Sequence, residues 1–218
     1  MSEILLKAVL AYLLGSIVGS LLVGRLRGGV DIRQVGSGNA GGTNALRTQG
    51  KVFAFWVLLI DIGKGWVATA VLAVVRIPEI AMAPWHWRVW SVAACGIAVM
   101  LGHVYPLWHG FRGGKGVATL VGAVLGASPL LLVPMLAVWL LAVILFGFVG
   151  LASILGAVAF AVAAAAGGVG PRVPLLTFAV LSAILIAFTH RTNIARMLAG
   201  TEPRARRLWL LGAARQRS

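Results

Sequence analysis

The chain has 218 residues, 60% of them hydrophobic and 11% charged, with a mean hydropathy of +0.97. A soluble domain carries roughly 25% charged residues, so the composition excludes an ordinary globular domain and describes a polytopic membrane protein with almost no soluble mass. The net charge of +14, from 19 basic and 5 acidic residues, would suggest nucleic acid in a soluble protein; here the cations flank apolar spans and serve topology, anionic lipid or an anionic substrate, with no nucleic-acid partner.

Ile4 to Gly24 is the first predicted span. No A-x-A cleavage pattern follows it, so it is read as retained. Gly15-x-x-x-Gly19 permits close helix packing, and Lys7 near the end can snorkel to the interface. Arg25 to Lys51 is a polar loop rich in glycine. Val52 to Val75 is the second span, with Asp61 and Lys64 three apart on one helix face. Ionisable groups at that depth are costly; they form either an internal ion pair or a substrate-lining pair. Arg76 to Arg88 is a loop with Pro78, Pro84 and two tryptophans suited to interface anchoring.

Val89 to about Trp108 is the third span. A second glycine-rich cationic turn follows, His109 to Gly116. Val117 to Ala127 is only 11 residues, roughly 16 Å of helix, too short alone for ~30 Å of hydrocarbon. Pro129 to Phe148 is the next apolar run, Gly150 marks a tight turn, and Leu151 to Ala166 is another span. Gly167 to Pro174 is a turn, and Leu175 to Thr189 is the last span. The tail, His190 to Ser218, holds Arg191, Arg196, Arg204, Arg206, Arg207, Arg215 and Arg217. The run at Arg204, Arg206 and Arg207 is expected to face lipid headgroups. Cys95 is the single cysteine, so no intramolecular disulfide forms.

Seven crossings, with Val117–Ala127 as a short one, put five, two and seven basic residues on the face of the first polar loop and three on the other. That asymmetry makes the first face cytoplasmic, the N-terminus outside and the C-terminus inside. The expected fold is an all-α membrane domain over 1–203 with a basic cytoplasmic tail over 204–218.

Three polar segments converge on that face. The first, Val35 to Lys51, has five glycines, no carboxylate and two cations. Its glycines allow an anion nest, Ser37, Asn39, Thr43 and Asn44 add neutral donors, and Arg47 adds a planar fork. The second supplies His103, Arg112 and Lys115; the third supplies His190, Arg191, Asn193, Arg196 and Glu202, the last expected to cap or to pair with Arg191 or Arg196. The set suits phosphate. Its histidines lack acidic or thiolate companions for a metal. Gly114-Lys115 is not a Walker loop, since His109 stands five before Gly114 and Gly116 follows Lys115. No His-x-x-x-x-Asp dyad occurs, and Asp31 and Asp61 are the only aspartates, which excludes multi-aspartate metal enzymes. From the residues alone, an enzyme acting on phosphorylated substrates and a transporter or channel for a phosphorylated anion both stand, with the one-sided motifs and lack of an internal repeat weighing against transport.

Gly36-Ser37-Gly38-Asn39-Ala40-Gly41-Gly42-Thr43-Asn44 with Arg47 and Gly50, then Gly102-His103 with Pro106, Phe111 and Gly113-Gly114-Lys115-Gly116-Val117-Ala118-Thr119, then His190-Arg191-x-Asn193-Ile194-x-Arg196 with Gly200-Thr201-Glu202, resemble the three motifs of the bacterial acyl-phosphate:glycerol-3-phosphate acyltransferases of the PlsY type. Asp61-x-x-Lys64-Gly65 also matches. The resemblance covers about Gly15 to Glu202. It implies transfer of a fatty acyl group from acyl phosphate to the 1-hydroxyl of glycerol 3-phosphate, giving lysophosphatidic acid and phosphate at the cytoplasmic face of a bacterial inner membrane, by a monomer with no cofactor and no metal. It implies Ser37, Arg47, Lys115 and His190 as catalytic, and Gly36, Gly38, Asn39, Gly41, Thr43, Asn44, His103, Gly113, Gly114, Asn193 and Glu202 as substrate-binding. Two positions depart: Gly42 replaces a usual alanine, and Gly150 stands where the family usually carries a serine, which implies a lost or replaced hydrogen bond.

Overall fold

A computed structural model describes residues 2–77, 84–205 and 208–209. Pro78 and the tail arginines Arg206, Arg207, Arg215 and Arg217 lie outside the described residues. In chain order the helices are α1 (Ser2–Gly15), α2 (Gly19–Leu26), α3 (Gly42–Gln49), α4 (Lys51–Trp66), α5 (Trp85–Arg88), α6 (Ser91–Val104), α7 (Val117–Ala127), α8 (Pro129–Phe146), α9 (Val149–Ala166), α10 (Arg172–Thr189) and α11 (Arg191–Leu198). A π-helical stretch, Val67–Leu72, extends α4. Five of these helices are long and apolar enough to cross a membrane, counting α4 with its extension and α6 to His109, and the bent pair α1–α2 makes a sixth.

The first apolar run is not one straight span. It bends by 44° between α1 and α2. Small residues at Gly15, Ser16 and Gly19 cost little helix there, and the freed backbone groups find partners on α4. The Lys64 ammonium donates to the carbonyls of Gly15 (3.0 Å) and Ile17 (2.7 Å), and Gly19 N–H donates to Asp61 Oδ1 (3.0 Å). Backbone groups at this depth need such partners, because no water supplies them. The two glycines serve different neighbours: Gly15 packs on the Val99 backbone of α6, Gly19 on Val57 of α4.

Half-way along α4, three helix ends meet. There α1 breaks, α6 ends and α7 begins. α7 lies beside residues 62–70: Gly65 packs on the Thr119 carbonyl, Gly122 on that of Ile62, and Gly126 on that of Trp66. Thr69 Oγ1 donates to the Ala123 carbonyl (2.9 Å). The 11 residues of α7 therefore need only the far half of the bundle, and the preceding glycine turn is carried to the middle of it.

Several expectations are corrected. Lys7 does not snorkel: it is 1% exposed, pairs with Glu3 at 2.8 Å and donates to the Ala73 carbonyl at 3.1 Å. Gly150 is no turn: the turn is at Gly147, in the left-handed region at φ 75°, and Gly150 lies in the first turn of α9. α10 begins at Arg172, so Pro174 is in its first turn, where a missing N–H costs nothing. The polar loop contains a 3-10 turn, Ile32–Gln34, and all of α3. Arg204 stacks on protein rings, as described below. The core is filled by α6, α7, α9 and α10, with Phe160 and Phe178 edge to face at 5.4 Å.

Candidate active site

The floor of the site is a buried charge cluster. Lys64 Nζ lies 2.9 Å from Asp61 Oδ1 and 2.9 Å from His103 Nδ1, and His103 Nδ1 lies 3.3 Å from Asp61 Oδ1. All three side chains are at most 3% exposed. Asp61 and Lys64 are thus the internal ion pair. His103 Nδ1 thus faces the Lys64 ammonium and the Asp61 carboxylate together, and its Nε2 edge points the other way. That edge touches Gly114, where no side chain would fit. Gly113 and Gly114 N–H donate to the carbonyls of Val104 (3.0 Å) and His103 (3.1 Å), which clips the second glycine turn to the end of α6. The structure places His103 beneath that turn, shielded from the surface.

The first motif is built around Asn44, 2% exposed at the start of α3. Its Oδ1 accepts from Ser37 N–H (3.0 Å), and its Nδ2 donates to the carbonyls of Ile32, Val35 and Asn39 (3.1, 3.0 and 3.1 Å). One amide therefore holds a loop whose turns need left-handed backbone at Gly36 (φ 61°) and Gly38 (φ 71°). The result is an exposed tip of Gly36, Ser37 and Gly38, with Asn39 half-buried beside it. Gly41 caps α3, and Thr43 and Arg47 stand exposed one turn apart on it. Ser20 Oγ donates to the Ala40 carbonyl (2.8 Å), tying the loop to α2. Arg33, held by Asp31 at 2.7 Å, donates to the carbonyls of His109 and Arg112 (both 3.0 Å) and joins this loop to the second turn.

The third motif meets the second through Lys115. Its Nζ hydrogen-bonds Asn193 Oδ1, and Thr189 Oγ1 donates to the Lys115 carbonyl (3.1 Å). Asn193 Nδ2 donates to Glu202 Oε1 (2.6 Å), and Arg196 Nε donates to Glu202 Oε2 (2.7 Å). Burial, then the nearby Arg196, pushes Lys115 down to about 8, with Glu202 opposing and Arg191 adding to the fall. His190 is 4% exposed and donates from Nδ1 to the Ile186 carbonyl (2.8 Å), which leaves Nε2 as its free lone pair. Burial above all lowers His190 to about 4, so the ring is neutral at pH 7.

The three motifs form one body. The Ala40 carbonyl lies against Gly114, and Lys115 next to it reaches Asn193. Among the described residues no hydrogen bond or ion pair joins Ser37 or Arg47 directly to Lys115 or His190. Thr189, Ser20 and Arg33 are positioning groups that motif reasoning missed; a hydroxyl at the end of a span and an Asp-x-Arg pair were the available signals. Gly150 acquires a role: a Cβ there would stand 2.9 Å from Asn193 Cβ and 3.2 Å from its Nδ2. Glycine lets Asn193 lean on the first turn of α9. Gly150→Ser is therefore expected to displace Asn193 and lower kcat/KM on the order of tenfold; a rise in kcat/KM would show that a serine is wanted here after all.

The arrangement suits an anion: the exposed Ser37 and Thr43 hydroxyls with the Arg47 guanidinium on one side, a half-buried ammonium beside a buried amide on the other, over a neutralised floor. A family model described as "Glycerol-3-phosphate acyltransferase" matches residues 5–200. Curated relatives of that name include one from Synechococcus sp. (strain JA-3-3Ab), 40% identical over 205 residues, 94% of this chain and 95% of the other. Another, from Sinorhizobium fredii, is 40% identical over 200 residues, 92% and 91% of the two chains. The crystal structure of PlsY (YgiH), an integral membrane glycerol 3-phosphate acyltransferase, matches in its glycerol 3-phosphate form with a TM-score of 0.80 at 35% identity, covering 92% of this chain and 94% of that one. Its lysophosphatidic acid form matches with a TM-score of 0.79 at 34% identity over the same shares. With a matching model over most of its length and full-length relatives at 40% identity, this chain belongs to the glycerol-3-phosphate acyltransferase family.

Proposed function

We propose that the protein transfers a fatty acyl group from acyl phosphate to the 1-hydroxyl of glycerol 3-phosphate. The observation that carries this is the pair of anion cradles joined at Gly114: the first-motif tip with Ser37, Asn39, Thr43 and Arg47, and the Lys115–Asn193 pair beside His190. Two phosphorylated substrates need two cradles. The glycerol oxygen attacks the acyl carbon, the bond from that carbon to the phosphate oxygen breaks, and phosphate leaves. The donor is already activated, so positioning and charge stabilisation suffice. His190, held near 4, is a poor proton acceptor at pH 7; a phosphate with a second pKa of about 6 is a better one. The hydroxyl proton therefore passes to substrate phosphate, while His190 Nε2 orients the hydroxyl.

Charge supports the same reading. With α7, which begins at mid-bundle, taken as a further short crossing to make seven in all, the sequence assigns 14 of the 19 basic residues to the motif face. That face is cytoplasmic, the membrane is a bacterial inner membrane, and the acyl chain leaves sideways into lipid. All three motifs come from one chain, so the unit is a monomer.

The test uses full-length protein in lipid with palmitoyl phosphate and glycerol 3-phosphate. Phosphate and lysophosphatidic acid are expected in equal amounts, with both lost in Ser37→Ala and Arg47→Ala. Phosphate alone would make the protein a hydrolase. Neither product from folded protein would remove the acyltransferase reading.

A further inference from the structure

We infer that residues 201–205 with Leu208 and Trp209 form a strap that caps the α8–α9 corner and thereby holds Glu202, Asn193 and Lys115 in place for glycerol 3-phosphate. The inference rests on the function proposed above and goes beyond the matched family region, which ends at residue 200.

The strap begins with a reversal. Gly200 takes φ 70°, and the N–H groups of Thr201 and Glu202 both donate to the Arg196 carbonyl (2.8 and 3.2 Å). This turns Glu202 back so that its two oxygens fall on Asn193 and Arg196. The strap then crosses to the end of α8. A helix end leaves its last carbonyls without partners, and three consecutive ones are met here. Leu145 accepts from Trp209 Nε1 (3.2 Å), Phe146 from Arg204 Nη1 (3.3 Å), and Gly147 from Ala205 N–H (2.8 Å). The Arg204 guanidinium lies between two rings, 4.5 Å from Phe148 and 3.9 Å from Trp209. The indole covers Gly147, where a Cβ would stand 2.9 Å from its Cγ. The same corner leads into Gly150, on which Asn193 leans. Asn193 is therefore gripped from two sides, by Glu202 on the strap and by the helix that the strap caps.

The groups facing Lys115 are Arg196, Arg191, Glu202 and the neutral His190. Of these only Glu202 raises its affinity for a proton. A slack strap lets Glu202 swing away, so Lys115 loses its proton at lower pH. Phosphate binding needs the ammonium, so the alkaline limb of kcat/KM moves to lower pH.

The experiment compares full-length Trp209→Ala, Arg204→Ala, Trp209→Phe and Glu202→Gln in lipid. Trp209→Ala and Arg204→Ala are expected to raise KM for glycerol 3-phosphate ~2–5-fold with kcat changed less than about twofold, the range for losing an exposed cation–π contact and the positioning it gives. Their alkaline limb moves down. Trp209→Phe keeps an aromatic face and recovers most of the KM. Glu202→Gln moves the limb with the clamp intact. A folded Trp209→Ala protein with wild-type KM and limb overturns the strap, as does a parallel fall of kcat with an unmoved limb. Lys115→Ala is run alongside: full activity there would remove the function proposed above, whereas an inactive Lys115→Ala beside wild-type strap variants removes the strap alone.

Discussion

Lys115→Ala is expected to lower kcat/KM by on the order of 10³, or about 4 kcal/mol of transition-state stabilisation. The ammonium is half-buried, one residue from the glycine that abuts the first motif, and hydrogen-bonded to Asn193. Among the described residues it is the one cation whose side chain hydrogen-bonds from the second motif to the third. In so shielded a place a charge acts more strongly than at a surface, because water screens it less. The alternatives do not substitute for it. Arg196 is committed to Glu202, and Arg191 donates to the Phe188 carbonyl and stacks on that ring at 4.4 Å. Lys115→Arg is expected to rescue little. A planar fork needs room for five donors, and Thr189 and Asn193 enclose the Lys115 position. Steady-state kinetics on full-length protein in lipid, with thermal unfolding to confirm the fold, checks both variants. Activity within tenfold of wild type in Lys115→Ala would take the residue out of the site.

Much of this site was legible because its chemistry is local. A glycine-rich, cationic stretch without carboxylates stands out in an apolar chain, and Asp61 and Lys64 three apart announce one helix face. The 11-residue run of α7 was visible as too short. What hid was depth. Nothing in residues 117–127 says that the preceding turn descends to meet them; that follows from packing on Ile62, Gly65 and Trp66. The break after Gly15 was hidden for a related reason. No proline marks it, and the partners that satisfy it stand far along the chain on α4. Asn44 read as a substrate donor because its residue type suits that role; all its donors and its oxygen are spent on the loop's own backbone. Gly150 read as a lost or replaced hydrogen bond; that Asn193 fills the space beside it was not visible in the sequence. Arg204 read as a lipid-facing cation, since ring stacking against Phe148 and Trp209 leaves no periodicity to detect.

Asp61→Ala is expected to cost about 3–5 kcal/mol of stability, the range for removing one partner of a buried ion pair. Lys64 would keep its ammonium at the centre of the bundle, with the Gly15 and Ile17 carbonyls and His103 Nδ1 as its remaining neighbours and no counter-charge. The general remedy for a buried pair, replacing both charges by apolar groups, is often neutral or stabilising. It is expected to fail here. Asp61 also accepts from Gly19 N–H, and Lys64 also donates to the Gly15 and Ile17 carbonyls. In Asp61→Leu/Lys64→Met these three backbone groups lose their partners at once, each loss costing about 1–3 kcal/mol. The double variant therefore stays well below wild type in unfolding temperature, measured on full-length protein in one detergent at one scan rate. A double variant as stable as wild type would show that the helix break needs no polar partner, and the argument for the cluster would fall. Activity should follow stability. α2 leaves the break at an angle fixed by these bonds, and Ser20 on it holds the Ala40 carbonyl against Gly114. Loosening the pair lets the first anion cradle drift from the second, so the protein that remains folded is expected to show a raised KM for both phosphorylated substrates.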